Sequence, residues 1–335
     1  MKRLVILALA ALALLSCTDR KYSIVAEFPS NVVEDGQIFQ LINYDNDEVI
    51  DSVTAMNNRI CFEGKVAMPY AVALKSPSGG YLPLVLESGT ILIDSMGNVS
   101  GTPSNETMLA MKAEMSAVRS DATLTREEKA LRMTNVLDST FEANRENAVG
   151  YFLFLDIMEQ KNKAELDSLL TVLPAMYSNS VIVTNRVKFL TQLELTAEGQ
   201  PFADFTLTAE DGTEQKLSDY VGHGEYVLVD FWASWCGPCR REMPTVKDIF
   251  AKYNGQGLKI LGVAVNDEVE DTQKAIEDLG IEWSVISDVQ GKTLDLYGIS
   301  GIPHLILFAP DGTIVSRGAR GEGLKAIVDE AMSAK

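Results

Sequence analysis

The sequence predicts a multidomain protein with an N-terminal antiparallel β-domain, a helical middle segment and a C-terminal α/β domain built on a mixed sheet. Three observations carry that prediction. Short alternating apolar and polar runs fill residues 21 to about 100. Apolar residues recur at helical spacing from 103 to about 196, and aliphatic strands then alternate with amphipathic helices to the C-terminus. The expected division is 1–17 for an export leader, 18–102 for the β-domain, 103–197 for the helical segment and 198–335 for the α/β domain.

The leader has a basic Met1-Lys2-Arg3 followed by continuously apolar residues 4–15, the length of a signal-peptide core and too short to span a bilayer. It ends in Leu14-Leu15-Ser16-Cys17, which resembles the lipobox of bacterial lipoproteins. The resemblance implies that the Cys17 thiol is lipidated and becomes the first residue of the mature chain. The expectation is an exported protein held by lipid at the periplasmic face of a bacterial membrane. Thr18, where aspartate would retain the protein, permits sorting to the outer membrane.

In the β-domain the runs SIVAEF, QIFQLIN, VIDSVTA, RICFEGKV, YAVALK, YLPLVLE and TILIDS are separated by turn residues such as Glu34-Asp35-Gly36, Asn57-Asn58 and Ser78-Gly79-Gly80. That spacing predicts a small antiparallel sandwich or barrel. Cys61, flanked by Ile60 and Phe62, is expected to be a core cysteine.

In the helical segment Met108, Met111, Met115 and Val118 share one helical face, and Leu166, Leu169, Leu170 and Leu173 share another. The methionines are expected to pack against a core, not to hold a cofactor. Asp121 and Thr125-Arg126-Glu127-Glu128 read as a loop and a capped helix start, and Gly199-Gln200-Pro201 ends the segment.

The remainder predicts strands at 226–232, 257–265, about 283–286, 304–308 and 313–317. Helices are expected to open at Cys236 and to cover about 269–279, 291–297 and 323–332, with a turn at Asp311-Gly312. Strands alternating with helices make a sheet covered on both faces, and adjacent terminal strands make it mixed.

The composition, 46% hydrophobic and 23% charged, supports ordinary globular cores. A formal net charge of -18 excludes a general nucleic-acid binder, which needs clustered cations. Four cysteines cannot staple a disulfide scaffold. Cys236 and Cys239 form the one close pair, in Trp235-Cys236-Gly237-Pro238-Cys239, where a strand turns into a helix. A helix N-terminus carries about half a positive charge, which stabilises a thiolate. Two intervening residues let the sulfurs close a disulfide, and Pro238 suits a first helical turn. Cys236, at the exposed helix start, is therefore read as the attacking thiolate, and Cys239 as the sulfur that resolves the mixed disulfide. Such chemistry calls for no cofactor. A structural zinc needs four ligands; no second cysteine pair exists, and His223 and His304 are read as structural or solvated.

From about Gly199 onward the chain resembles the thioredoxin fold, specifically the membrane-anchored oxidoreductases of the TlpA/ResA type. DFWASWCGPC nearly repeats a thioredoxin active-site segment, and Pro244 matches the proline that kinks the active-site helix. Ile302-Pro303 matches the cis-proline loop, and residues 266–287 resemble the helix-and-strand insertion of that type. The resemblance implies that Asp230, matching thioredoxin's buried aspartate, and Glu242, matching the glutamate of the ResA-like branch, serve the proton of the resolving cysteine. It also implies that Trp235, Gly237, Pro238, Ile302 and Pro303 form the substrate-binding face, Ile302 offering its backbone to an extended peptide. Trp232 and Trp235 are expected to wall the site. The front half, including VIDSVTA and FEGKVAMP, resembles a β-domain of unknown function that precedes thioredoxin modules in some Gram-negative lipoproteins.

The expected function is a periplasmic, lipid-anchored enzyme that exchanges dithiol for disulfide with protein substrates, acting as a reductant fed by a membrane thiol donor. Alternatives are an oxidase or isomerase using the same cysteines, and a binding lipoprotein whose thioredoxin domain is scaffold. A peroxiredoxin would need a P-x-x-x-T-x-x-C arrangement that the segment lacks.

Overall fold

The computed structural model describes residues 20–29, 33–208 and 213–333; the leader and Cys17 lie outside them. Two compact units divide the chain, the first ending at Thr184 and the second beginning at Asn185.

The first unit begins with β1 (Lys21–Glu27), β2 (Ile38–Asn43), β3 (Val49–Thr54), β4 (Arg59–Lys65), β5 (Tyr70–Lys75), β6 (Tyr81–Leu86), β7 (Gly89–Ile93) and the two-residue β8 (Val99–Ser100). They form two four-stranded sheets, ordered β4-β1-β7-β8 and β3-β2-β5-β6. Pairing is antiparallel except between β1 and β7, where Ile24 lies beside Ile91 in parallel register. Alternation decides which side chains face inward. Tyr22, Ile24 and Ala26 of β1 join Leu41, Phe62, Leu74, Leu86 and Ile91 in one apolar core shared by both sheets.

The same alternation corrects the expectation for Cys61. Ile60 and Phe62 are buried, so the residue between them points the other way, and Cys61 is a free, exposed thiol. Its sulfur lies 3.9 Å from the Ser23 hydroxyl.

Six helices follow: α1 (Pro103–Ser120), α2 (Arg126–Asn144), α3 (Ala148–Glu159), α4 (Lys163–Val172), α5 (Ala175–Ser178) and α6 (Val181–Leu195), the last belonging to the second unit from Asn185 on. Thr125 and Glu128 form a reciprocal capping box at the start of α2. Met111 is the buried member of the methionine stripe, as packing requires. Buried Asn105 ties α1 to β6, accepting from the Val85 N–H at 3.0 Å and donating to the Val85 carbonyl at 2.8 Å.

The second unit carries the short antiparallel pair β9 (Thr206–Thr208) and β10 (Glu214–Lys216), then β11 (Tyr226–Trp232), α7 (Gly237–Tyr253), β12 (Leu258–Val265), α8 (Val269–Leu279), β13 (Ser284–Asp288), α9 (Lys292–Tyr297), β14 (His304–Phe308), β15 (Ile314–Arg317) and α10 (Gly321–Ser333). Its five-stranded sheet is ordered β13-β12-β11-β14-β15. β11 pairs in parallel with β12 and antiparallel with β14, so the sheet is mixed and β11 is its centre. Leu228 and Trp232 enter the core on one face with Met243, Val246 and Ile249 of α7. Val227, Val229 and Phe231 enter the other with Tyr297 of α9. This is a thioredoxin-like domain. Among the described residues no helix is long and apolar enough to cross a membrane.

Candidate active site at the start of a helix

Strand β11 delivers the site by parity. Leu228, Asp230 and Trp232 share the face that α7 covers, so a carboxyl group is carried into an apolar layer between two hydrophobes. Opposite Asp230 on β12 stands Gly262. A Cβ there would lie 3.1 Å from the Trp232 indole nitrogen, so the glycine makes room for that ring. The strand then gives way to Ala233–Trp235, and Cys236 becomes the N-cap of α7.

Cys236 and Cys239 are joined in a disulfide with Cα atoms 5.3 Å apart. The Cys236 sulfur accepts the Cys239 backbone N–H at 3.1 Å, one of the donors a helix start leaves unpaired. Pro238 occupies the first turn, where a missing N–H is harmless, and Pro244 lies within the helix. The expectation of an exposed first cysteine is corrected here. Both cysteines are 2% exposed, because the helix starts against the core of the central strand. Position on the helix, not exposure, distinguishes the two sulfurs.

The Ile302–Pro303 peptide bond is cis, and the Ile302 carbonyl oxygen lies 3.8 Å from the Cys236 sulfur. Gly237 and Pro238 are exposed beside it. Trp235 is 63% exposed and is held by its indole N–H, which donates to the Asn266 carbonyl at 2.9 Å. Trp232, expected at the wall, is instead 1% exposed within the core, because it shares the inward parity of Asp230.

Asp230 is 3% exposed, and its Oδ1 has no hydrogen-bond partner among the described residues. Burial and, secondarily, the Glu242 charge raise its pKa to about 7, while the Arg320 guanidinium pulls the other way. Glu242 is half-buried, and its Oε1 accepts the Gly321 N–H at 2.7 Å, fastening α7 to the start of α10.

Sequence reasoning missed a clamp behind the cysteines. Buried Asp267 accepts the Ser234 backbone N–H at 2.6 Å, the Ser234 hydroxyl at 2.7 Å and the Thr272 hydroxyl at 2.9 Å. The Arg240 side chain closes the turn by donating to the Ser234 carbonyl at 2.8 Å. No local signal marks Asp267, since its partners lie 33 residues upstream and one turn into the next helix. His304 directly follows cis-Pro303, and neither histidine has a hydrogen bond to a cysteine sulfur among the described residues. The ring of His223 bonds to the Ser218 carbonyl. Burial, reinforced by Arg317 and Arg320, lowers the pKa of His304 to about 4 and keeps it neutral. Among the described residues no cluster of three or more His, Cys, Asp or Glu side chains could hold a metal.

Comparison with known proteins fits this geometry. A model of the AhpC/TSA family matches residues 199–317, and a model described as a domain of unknown function (DUF4369) matches residues 22–108. The thiol-disulfide oxidoreductase ResA of Geobacillus thermodenitrificans is 34% identical over 126 residues, covering 38% of this chain and 71% of its own. The chain belongs to the ResA-like thiol–disulfide oxidoreductases. The ResA of Bacillus subtilis is 30% identical over 36% of this chain and 67% of its own. A solved thioredoxin domain of a thiol-disulfide oxidoreductase from Bacteroides vulgatus is 34% identical, covers 40% of this chain and 96% of its own, and has a TM-score of 0.37.

Proposed function

We propose that this oxidoreductase reduces protein disulfides through Cys236 and Cys239. The observation that carries the reading is the disulfide itself. It closes a helix start, with the Cys236 sulfur on a backbone N–H and the cis-proline loop beside it. In the reduced enzyme the same N–H and the helix dipole favour the Cys236 thiolate. That thiolate attacks a substrate disulfide, forming a mixed disulfide and releasing one substrate thiolate. Cys239 then loses its proton, attacks the Cys236 sulfur and releases the second substrate thiol. Two electrons have passed to the substrate, and the enzyme is left as the disulfide. Asp230, buried behind the helix with its Oδ1 unpartnered among the described residues and poised near neutrality, suits acceptance of the Cys239 proton directly or through water. Glu242 contributes by its charge, which helps hold the Asp230 pKa up. The backbone of half-buried Ile302, next to the Cys236 sulfur, suits strand-like pairing with an extended substrate, beside Trp235, Gly237 and Pro238.

The basic, apolar start of the sequence and Cys17 support export and lipid anchoring at the periplasmic face of a membrane. An exported reductant needs a donor, and a membrane thiol protein is the proposed source. Insulin reduction by the full chain with dithiothreitol tests the activity, with Cys236→Ser as the inactive control. The AhpC/TSA match makes peroxide consumption the competing assay. Rapid peroxide turnover without insulin reduction would replace this reading with a peroxidase.

A further inference from the structure

Three cations flank the disulfide in a chain whose net charge is -18. Arg240 and Arg241 follow Cys239 directly and are both exposed. Arg240 folds back onto the Ser234 carbonyl, next to Trp235. An Arg241 Nη1 lies 3.6 Å from where a Cβ on Gly237 would stand, so its guanidinium rests over the cysteine turn. Arg320 stands on the segment that leads into α10. It is exposed and immediately precedes Gly321, whose N–H is bound to Glu242. Its neighbour Gly318 donates to the Leu305 carbonyl at 2.8 Å, which sets this segment beside the strand that follows cis-Pro303. Arg320 is close enough to Asp230 and His304 to lower the pKa of both. None of the three guanidiniums makes an ion pair among the described residues.

The nearby acids offset them only in part. Asp230 and Asp267 are buried, and half-buried Glu242 keeps its charge while its Oε1 accepts the Gly321 N–H, leaving three exposed cations against one partly covered carboxylate. Glu270 and Asp271, in the first turn of α8, are exposed and border the patch on the side of the Ser234 clamp. The cysteine turn and the segment beside the strand that follows cis-Pro303 therefore both carry exposed cations, with the exposed Trp235 indole next to the cysteine turn. Cations on both sides of an extended backbone favour anions on the segment that lies between.

We propose that Arg240, Arg241 and Arg320 form a rim that selects substrate segments carrying Asp or Glu beside the cysteines to be exchanged. This rests on the thiol–disulfide reading above and names its substrate class. The rim acts at short range. The whole chain repels anions at a distance, but at about 0.1 M salt charges beyond roughly 10 Å are screened while the rim is still felt. Exposed cation–anion contacts are individually weak, and three acting together on one encounter are expected to yield about a tenfold rate preference.

The test uses the reduced full chain and two synthetic peptides sharing one intramolecular disulfide loop, flanked in one by Glu and Asp and in the other by Lys. Oxidation of the protein is followed in a single turnover by tryptophan fluorescence. Both peptides meet the same thiolate, so the ratio of their rates removes any effect of the arginines on Cys236 itself. The expected ratio is about ten in favour of the acidic peptide at about 0.1 M salt, falling toward one at about 1 M, where screening reaches roughly 3 Å. The combined Arg240→Gln, Arg241→Gln and Arg320→Gln variant should bring it toward one at the lower salt. Equal rates in the parent, a preference for the lysine peptide, or a ratio unchanged in the triple variant would each overturn the rim while leaving the oxidoreductase reading intact. Exchange with neither peptide would sink that reading, and the rim with it.

Discussion

Replacing Asp230 by Asn should abolish a pH dependence of stability that the buried carboxyl imposes. In the oxidised fold its pKa is raised from 3.8 to about 7. As pH rises above about 4, the unfolded chain loses this proton while the folded chain keeps it. The folded state binds the extra proton, so stability falls with rising pH through that window and levels off above about 7. Roughly three pKa units at about 1.36 kcal/mol each make the loss about 4 kcal/mol. The group is almost wholly buried, so solvent screening leaves that figure nearly whole. The parent should therefore lose about 4 kcal/mol relative to Asp230→Asn between pH 4 and pH 8, whatever the variant's absolute stability. With a urea slope of about 2 kcal/mol/M, the gap between their midpoints should change by about 2 M. All three tryptophans, Trp232, Trp235 and Trp283, lie in the second unit, so fluorescence follows that unit's unfolding. Urea titrations of the two oxidised proteins across pH make the measurement. A midpoint gap that stays constant from pH 4 to pH 8 would show that Asp230 is not held protonated, and would remove it as the proton acceptor.

Cys239→Ser should accumulate mixed disulfides with substrate proteins through Cys236, and Cys236→Ser should accumulate none; non-reducing gels read the difference, and trapping through Cys239 would reverse the roles. Glu242→Gln should keep the fold, because an amide oxygen can still accept the Gly321 N–H, yet shift the pH–rate profile downward by lowering the Asp230 pKa and slow exchange by about tenfold, less than the about 10²–10⁴-fold of a group that carries the proton itself; an unmoved profile would contradict the coupling. Glu242 places negative charge near the sulfurs and Asp230 adds to it as it ionises above about pH 7, which disfavours the thiolate, so the disulfide potential should lie nearer thioredoxin's roughly -270 mV than the about -180 mV of protein disulfide isomerase; equilibration against dithiothreitol measures it, and a more oxidising value would favour an oxidase or isomerase. Exposed Cys61 should be alkylated in the native oxidised chain without denaturant, whereas a thiol that reacts only after unfolding would mean that it is buried.

Much of this architecture is written in local pattern. The seven alternating runs of the first unit are β1 to β7, because parity along a strand is a property of neighbours in sequence. The parallel pairing of β1 with β7 joins segments far apart in the chain, and no local signal announces it. The exposure of Cys61 is legible in the same parity. The apolarity of Ile60 and Phe62 suggested a core position, although their inward parity dictates the reverse for the residue between them. At the site, the cysteine motif, Asp230, Glu242 and Ile302-Pro303 follow from type and spacing. Asp267 and Arg320 do not, since their meaning depends on which distant loops fold back beside the helix start. The depth of Cys236 was likewise hidden, because a helix start is exposed only if nothing packs over it.

The Asp267 clamp has a consequence for the other half of the redox cycle. Its hydrogen bonds hold Ser234 through oxygen and nitrogen atoms alone, so opening the Cys236–Cys239 bond breaks none of them. A turn ordered only by its own disulfide would loosen on reduction, and each encounter with a substrate would have to restore its geometry. Here the turn that leads into Cys236 is fastened to the start of α8 by contacts indifferent to electrons. The reduced protein should therefore greet its substrate with the nucleophile already in place, and the two oxidation states should differ at the sulfurs far more than in the scaffold that aims them.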